Sequence, residues 1–407
     1  MNQQELIPHL FRTEFSKISS VLSRLFGIDH MEAAEDIASE TFLAALETWT
    51  YKGIPENPTA WLYAVAKNKT KNYLHRNKLF SDKILPQIKA DAIGSIDIDL
   101  SEKNITDSLL QMLFTLCHPT ISTEAQIGLS LRILCGFGID EIATAFLTNK
   151  DTINKRLFRA KQKLREEKIQ IELPAPAEID KRLDAVLTTL YLLFSEGYYS
   201  ENKEEVIREE LCNEAMRLTF LLIENEYTNQ SKVKALYALM CFHASRFRAR
   251  KNNNGEIILY GQQDESLWSK ELITKGAFYL HAASEGNSIS KYHLEAGIAY
   301  WHTVKSDTKE KWDNILQLYN KLLQIAYSPI AALNRTYALS KANGKPAAIR
   351  EAEKLNLINN HFYFVLLGEL YTGIDNIKAK GYFEKGFVLA KTESDKQTIL
   401  KKLDDIL

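Results

Sequence analysis

The sequence predicts an all-α protein, and three observations support this. Glycine and proline are sparse, at 17 and 9 of 407 residues. They lie between long stretches in which apolar residues recur with the period of a helix. The only segment that resembles a strand is the short run Glu256-Ile257-Ile258-Leu259-Tyr260. The length suggests two or three domains.

The composition is ordinary for a soluble globular protein, with 45% hydrophobic and 25% charged residues and a formal net charge of −1. No global basic field indicates nucleic acid, so that argument must rest on local patches. The four cysteines lie far apart without a CxxC pair, which predicts buried thiols in a reducing cytosol. Charged residues interrupt every early apolar run, and no run is long enough to span a membrane. We therefore expect a cytoplasmic protein.

The first 78 residues predict three helices. Two lie in residues 5–48 and divide near Gly27–His30; the second, Ala33–Thr48, starts with acidic side chains, as the helix dipole favours. A loop from Trp49 to Pro58 leads to a third helix, Thr59–Lys78, in which lysines alternate with aromatic residues. Such interleaving suits an unstacked DNA strand, because cations follow the backbone while rings stack on bases. A core helix with a lysine-rich outer face is the alternative.

Residues 79–104 are polar and predict a flexible linker, with helices resuming at Asp107. Residues 137–168 then predict two short helices around a tight turn. In the second helix, apolar residues recur at i, i+4, i+7 and i+11: Ile153, Leu157, Ala160 and Leu164. Thr148 and Asp151 have the spacing of a capping box that would begin this helix.

The opposite face of that second helix is basic. It carries Asn154, Lys155, Arg159 and Lys163, with Arg156, Lys161 and Arg165 on its flanks. A second helix with an apolar inner face and a basic outer face is the pattern of a DNA-reading helix-turn-helix. A charged surface helix is the alternative for this segment taken alone.

Three segments in this order resemble an extracytoplasmic-function (ECF) sigma factor of the sigma-70 family. They are Ala34–Phe42, the motif Asn57-Pro58-x-Ala60-Trp61-Leu62, and GIDEIATAFLTNKDTINKRLFRAKQKLR. Ser39 departs from the family, where glutamine is common. The resemblance implies that residues 1–78 form region 2, which binds core RNA polymerase and the −10 promoter element. It implies that residues 105–172 form region 4, whose helix-turn-helix reads the −35 element.

The resemblance also indicates which residues would carry these contacts. For core polymerase they are Asp36, Glu40 and Phe42. For the −10 element they are Asn57, Trp61, Lys67, Asn68, Lys71, Asn72 and Arg76. For the −35 element they are Lys150, Thr152, Asn154, Lys155, Arg156, Arg159 and Lys163.

Beyond the proline-punctuated boundary Pro174–Pro176, residues 178–407 predict a further helical domain, larger than the sigma part. Leu333–Ala338 and Leu367–Tyr371 are similar segments 34 residues apart, which is the tetratricopeptide period. We expect such repeats at about 291–392. This half resembles the extension of ECF sigma factors that carry a tetratricopeptide-like domain, through Tyr191–Tyr198, ALMCFHASRFRAR, Gln262–Trp268 and Ser328–Arg335. The departures are Gln262, Glu265 and Leu267, where the family has an acidic residue and two arginines.

We therefore expect a bacterial sigma factor that directs promoter recognition and transcription initiation. Its extension would contact the sigma domains within the same chain and regulate them in cis. The residues that we expect in this regulatory part are His243, Arg246, Arg250, Asp264 and Trp268.

Two other classes of protein fit part of this sequence. A helix-turn-helix regulator with a tetratricopeptide sensor would have no use for a second basic-aromatic helix in residues 31–78. An enzyme could use His243, Arg246 and Arg250, which share a helix face, as an anion or catalytic site. Buried arginine–carboxylate pairs more often fix a helix against a loop. The sequence has no glycine-rich phosphate loop, nucleophile elbow or metal-ligand cluster, so we expect no enzymatic activity, cofactor or metal.

Overall fold

A computed structural model shows an all-α chain, as predicted. It describes residues 3–76, 98–146, 148–199, 205–250, 258, 260–286, 288–390 and 392–404, which contain eighteen α-helices and no strand. These residues form two compact units, Met1–Asn229 and Gln230–Leu407. The strand-like run 256–260 falls mostly outside the described residues, and Tyr260 begins a short 3₁₀ helix, Tyr260–Gln262. No helix among these residues is long and apolar enough to cross a bilayer.

The first unit contains nine of the helices. They are α1 (Gln3–Phe26), α2 (Met31–Lys52), α3 (Pro58–Arg76), α4 (Glu102–Leu116), α5 (Thr123–Leu134), α6 (Ile139–Ala145), α7 (Lys150–Glu166), α8 (Pro176–Tyr199) and α9 (Glu205–Glu224). Helix α1 packs against α2 and α3 and also against α4 and α5. Its side chains Phe15, Ile18 and Leu22 are fully buried. The two predicted sigma segments are therefore joined around one apolar helix.

Two helix boundaries differ clearly from the sequence prediction. Helix α2 continues past Trp49 to Lys52, because the Trp49 ring is buried and contacts Trp61 edge-on, with ring centroids 5.3 Å apart. It ends at Gly53, whose φ of 80° favours glycine. Helix α4 begins at Glu102 rather than Asp107, because the Ser101 side chain accepts a hydrogen bond from the Asn104 N–H and caps the helix. Residues 102–104 of the predicted linker are thus helical, while 77–97 lie outside the described residues.

Helices α8 and α9 belong to the first unit although they follow the proline-punctuated boundary. Arg182 Nη2 donates to the Phe114 carbonyl at 2.6 Å, and Arg217 Nη2 donates to the Leu134 carbonyl at 2.8 Å. These carbonyls lie in the last turns of α4 and α5, where intrahelical partners run out. The extension therefore supplies donors that complete the ends of the two helices that precede the helix-turn-helix segment.

The second unit is built from successive packed helices. They are α10 (Ser231–Ala244), α11 (Lys270–Ser284), α12 (Lys291–Trp301), α13 (Lys309–Ile325), α14 (Pro329–Asn343), α15 (Lys345–Leu355), α16 (His361–Tyr371), α17 (Asn376–Leu389) and α18 (Glu393–Asp404). Close approach within the pairs requires small residues. A Cβ at Gly297 would lie 3.2 Å from Leu318, and one at Gly368 would lie 2.7 Å from the Phe383 ring. The four cysteines of the whole chain are free and buried, as expected.

The close contact between α16 and α17 predicts a matched pair of glycine substitutions. Gly368→Ala should lower the free energy of unfolding of the second unit by about 1–3 kcal/mol, because the new methyl group would overlap the buried Phe383 ring. Gly381→Ala, in the interior of α17 with open space around it, should raise it by about 0.5–1 kcal/mol. Urea unfolding combined with hydrogen exchange in α16 and α17 measures both. Equal effects of the two substitutions would contradict the close approach.

Candidate nucleic-acid interface

The helix-turn-helix segment places its second helix, α7, with one side buried and the other exposed. All four residues of the predicted apolar stripe are buried: Ile153, Leu157, Ala160 and Leu164. Helix α7 packs against α5 and α6. At Gly128 of α5, an added Cβ would lie 3.0 Å from the Leu157 side chain, so glycine permits this approach. The periodic pattern thus predicted the orientation of α7 correctly.

The cap of α7 differs from the predicted capping box. Asn149, not Thr148, is the N-cap residue, and its Oδ1 accepts a hydrogen bond from the Thr152 N–H at 2.8 Å. The Thr148 N–H donates to the Ala143 carbonyl at 2.9 Å, so Thr148 still belongs to the end of the preceding helix. Helix α6 has its own cap, in which the Gly138 N–H donates to Glu141 Oε2 at 2.6 Å.

The exposed side of α7 carries most of the predicted −35 residues. Asn154, Lys155, Arg159 and Lys163 are exposed, and Thr152 is exposed at the N-terminal turn. With the start of α5, the basic residues line a groove of about 470 Å³. Lys150 is exposed and pairs with Asp140 at 2.5 Å, whereas the half-buried Arg156 guanidinium lies 6.0 Å from the Phe146 ring centroid. The result is an electropositive surface on a rigid helix, which suits phosphates and base edges.

Sequence reasoning missed one exposed side chain on this surface. The Phe158 ring is 65% exposed on the same helix, away from the buried stripe. The sequence contained a signal for this exposure, because Phe158 is the one aromatic residue of α7 and does not follow the spacing of the apolar stripe.

The flanking cations Lys161 and Arg165 have a different role from the exposed ones. Lys161 Nζ donates to Glu35 Oε1, and Arg165 Nη2 donates to Glu32 Oε2, both on α2. The side chains of Lys161 and Glu35 are only 12% and 10% exposed. These two cations brace α7 against α2 and are not available to DNA in this arrangement.

Helix α3 carries the predicted −10 residues, and its rings mostly face the protein. Tyr63 donates a hydrogen bond to Glu14 Oε2 at 2.6 Å, and burial together with that carboxylate raises the tyrosine pKa. Tyr73 packs on Phe26, with ring centroids 5.6 Å apart. Trp61 is half-buried against Trp49. The outer side of α3 is therefore polar and basic rather than aromatic.

The remaining −10 residues divide by exposure. Asn68, Asn72 and Arg76 are exposed, while Lys67 and Lys71 are half-buried. Asn57 precedes α3 and is exposed; its Oδ1 accepts a hydrogen bond from the Ala60 N–H at 2.9 Å. Asn57 thus shapes the start of the helix whose outer side carries the other residues.

Of the three residues predicted to bind polymerase, two are exposed. Asp36 is exposed, and Glu40 is exposed and pairs with Lys69 at 2.9 Å. Phe42 is buried and contacts Phe11 edge-on, so its ring supports the surface from beneath. Its neighbours Leu43 and Leu46, which sequence reasoning missed, are 55% and 49% exposed. They line an apolar groove of about 730 Å³ between α1 and α2.

The predicted regulatory residues of the second unit gather around a tyrosine that the sequence did not single out. Trp268 is buried and stacks on Tyr260, with ring centroids 6.1 Å apart, and the Arg246 guanidinium lies 5.5 Å from the Tyr260 ring centroid. The buried Lys311 donates a hydrogen bond to Tyr260 Oη at 3.0 Å. The Tyr260 ring thus joins the loop before α11 to residues from other helices of this unit.

Two histidines and the rest of the predicted set complete this cluster. Burial lowers the pKa of His302, beside Tyr260, to about 3, and burial lowers the pKa of His243 far below its usual range, so both are neutral at neutral pH. The Arg250 carbonyl accepts from the Ile258 N–H at 2.7 Å. Asp264 is exposed and caps the turn that follows it. Within the described residues, no group of three or more His, Cys, Asp or Glu is placed to hold a metal.

Comparison with known proteins identifies the N-terminal part of the chain. Sigma-70 region 2 matches residues 10–80, which contain most of α1 and all of α2 and α3. The ECF RNA polymerase sigma-E factor of Haemophilus influenzae is 26% identical over 162 residues, which cover 38% of this chain and 82% of that protein. The N-terminal part of the chain is a sigma-70 region 2 domain.

The chain shares nearly its full length with another protein. It is 31% identical over 385 residues to the uncharacterized protein R00370 of Rhizobium meliloti, covering 93% of this chain and 90% of the relative. The two proteins therefore belong to one family over their full architecture, extension included. Residues 182–284 match a family of unknown function, DUF6596, which runs across the division between the two units. No solved structure matches the chain.

The corrected cap of α7 gives a prediction for the stability of that helix. Asn149→Ala should destabilise α7 by about 1 kcal/mol, because the Thr152 N–H loses its acceptor. Thr148→Ala should have a smaller effect, since Thr148 takes part through its backbone. Hydrogen exchange of the first turn of α7 measures the difference. A larger effect of Thr148→Ala would restore the capping box that the sequence suggested.

Proposed function

We propose that the protein is an RNA polymerase sigma factor that directs promoter recognition and transcription initiation. The observation that carries this proposal is the pairing of two surfaces in one unit. Helix α7 presents an exposed basic side over a buried apolar stripe, and the region 2 match supplies a second polar and basic helix, α3. The printed name of the Haemophilus influenzae relative associates that protein with RNA polymerase.

In this proposal, α7 lies in the major groove of the −35 element. Lys155, Arg159 and Lys163 donate to phosphates or to guanine edges, and Asn154 is suited to adenine. The exposed Phe158 ring fits against a thymine methyl group. Helix α3 and the Asn57 turn hold the −10 strand through exposed amides and cations. The exposed side of α2, with Asp36, Glu40 and the Leu43–Leu46 groove, contacts core polymerase.

The extension acts on this machinery in cis in our proposal, and its consecutive helix pairs are tetratricopeptide-like repeats. Support comes from α8 and α9, which lie in the same compact unit as the sigma helices and donate to their C-terminal carbonyls. The Tyr260 cluster argues for a structural role of the predicted regulatory residues. His243 and Trp268 are buried, and Arg246 stacks on a ring. A helix-turn-helix regulator without polymerase remains the alternative, and the region 2 match argues against it.

The direct test is run-off transcription with purified core polymerase on genomic DNA, followed by sequencing of the transcripts. A sigma factor yields transcripts that share a promoter element upstream of their start sites. A regulator of the alternative class yields none beyond those of core polymerase alone. The same experiment supplies the promoter that the later tests require.

Replacing the exposed cations of α7 should weaken promoter binding. For Lys155→Ala or Arg159→Ala, loss of a base contact costs about 1–3 kcal/mol and relaxes specificity at one position. Loss of a phosphate contact weakens all sequences alike and reduces the salt slope by about one. Binding titrations of the polymerase complex at several salt concentrations separate these cases. Lys181→Ala, an exposed cation of α8, is the control. Unchanged affinity in both α7 variants would exclude α7 as the reader.

A truncation tests regulation in cis. The cut is placed after Asn229, since removal at the proline boundary would also take α8 and α9 from the first unit. Removal of the second unit should change the transcript yield of the remaining protein at limiting polymerase. An increase identifies the second unit as an inhibitor, and a loss identifies it as an assembly platform. Circular dichroism and hydrogen exchange of α8 and α9 check that the truncated protein is folded. Equal yields across all polymerase concentrations would contradict regulation by the second unit.

A further inference from the structure

The second unit contains a groove that takes no part in the proposed promoter contacts. The groove has a volume of about 610 Å³ and is lined by residues of α11, α12, α13 and the loop between α11 and α12. This volume falls within the roughly 300–1,000 Å³ of sites that bind small molecules. Every lining residue belongs to the second unit, so the groove is a property of that unit alone.

The floor of the groove is apolar, and small residues keep it open. Ala277 of α11 and Gly297 of α12 present little or no side chain, and a Cβ at Gly297 would lie 3.2 Å from Leu318 of α13. Three leucines supply aliphatic surface: Leu280, Leu294 and Leu318. Two further lining residues are apolar and exposed, Ile289 at 63% and Tyr300 at 39%. Exposed apolar side chains gathered on one concave surface are typical of a binding site.

The charge of the lining is positive. Among the described residues that line the groove there is a lysine, Lys321 of α13, and no Asp or Glu. Lys321 is exposed and forms no ion pair with another described residue. Glu285 lies between two lining residues, but it is exposed and does not line the groove. A lysine beside apolar surface lays its aliphatic stem along that surface and keeps its ammonium group at the edge.

His293 also lines the groove, and it adds no charge at neutral pH. The Ser290 N–H donates to His293 Nδ1 at 3.1 Å, so Nε2 carries the ring proton and donates to the Ala283 carbonyl at 3.3 Å. Burial lowers the pKa of this histidine, which keeps the ring neutral. An anionic head group in the groove therefore meets an ammonium group and no carboxylate, whereas a cationic head group meets a like charge.

We propose that this groove binds an amphipathic monocarboxylate, with its aliphatic tail along the leucines and its carboxylate on the Lys321 ammonium group. Burial of the tail removes apolar side chains from water, and the ion pair favours a carboxylate over an uncharged or cationic head group. One lysine in the lining matches one negative charge, whereas a polyphosphate would lack partners for its further charges. Binding at this groove is independent of the proposed sigma function, since every residue involved lies in the second unit.

Titration of the full chain with three ten-carbon probes tests this proposal. Decanoate, decanol and decyltrimethylammonium share a tail and differ in the charge of the head group. Below the micelle concentration, calorimetry should show saturable one-to-one binding of decanoate, tighter than that of decanol by roughly threefold or more. The cationic probe should bind most weakly. Decanoate should also slow hydrogen exchange in α11, α12 and α13.

Substitutions separate the ion pair from partitioning of the tail. Lys321→Met keeps an unbranched side chain without the charge, and it should lower the affinity for decanoate to that for decanol while leaving decanol binding unchanged. Lys309→Met is the matched control and should change neither, because Lys309 is an exposed cation of α13 outside the groove, roughly 18 Å away along the helix. Ala277→Phe places a ring in the groove and should weaken all three probes; circular dichroism checks that each variant is folded.

The contrary results are equally specific. If Lys321→Met binds decanoate as tightly as the unchanged protein, or if decanoate binds no more tightly than decyltrimethylammonium, the proposal is wrong. Unsaturable binding, or protection from exchange outside α11, α12 and α13, would assign the heat to non-specific partitioning and would also overturn it. None of these results bears on promoter-dependent transcription, so the sigma function stands or fails separately.

Discussion

The guanidinium of Arg12 meets a phenyl ring and two carboxylates that come from three separate parts of the sequence. Phe137 and Glu141 lie about the turn into the helix-turn-helix, and Glu210 lies in the extension. Arginine suits this position because its planar group stacks on the ring while its edges face the carboxylates. The first unit depends on this side chain and on the buried helix that carries it, since α1 contacts both sigma segments.

The basic residues of α7 show how the same residue type serves two purposes on one helix. Lys155, Arg159 and Lys163 are exposed, and their charges project into solvent where a polyanion could reach them. Lys161 and Arg165 lie on the flanks of this exposed side and pair with carboxylates of α2. A cation taken out of water needs a partner, so the acidic start of α2 has a structural role in addition to favouring the helix dipole. The carboxylates of α2 therefore have three roles: they favour the helix dipole, they pair with cations of α7, and they contribute charge to the exposed surface.

The extension is not separate from the sigma helices at its start. Arg182 and Arg217 complete the C-terminal ends of α4 and α5, whose last carbonyls have no partner within their own helices. Thr189 also donates to the buried Gln126 side chain of α5 at 2.8 Å. The prolines at 174 and 176 mark a turn in the chain, whereas the compact units divide after Asn229. A proline-rich segment reports local backbone conformation and says little about which helices pack together.

The sequence by itself determined the helices, because the spacing of apolar residues along a helix is a local property. In α7, the spacing of Ile153, Leu157, Ala160 and Leu164 predicted which side is buried. The same spacing placed the basic side of α7 outward. It also sufficed for the all-α class. Only the tertiary structure decided which cations stay free, which residue caps α7, and that Phe42 lies beneath the surface formed by Leu43 and Leu46. The pairing of the cations depends on partners far away in the chain, such as Glu35 for Lys161 or Glu210 for Arg12, whereas the cap is a local contact between Asn149 and Thr152. A single sequence carries no periodic signal for such pairs, since ion pairing between distant helices is set by packing.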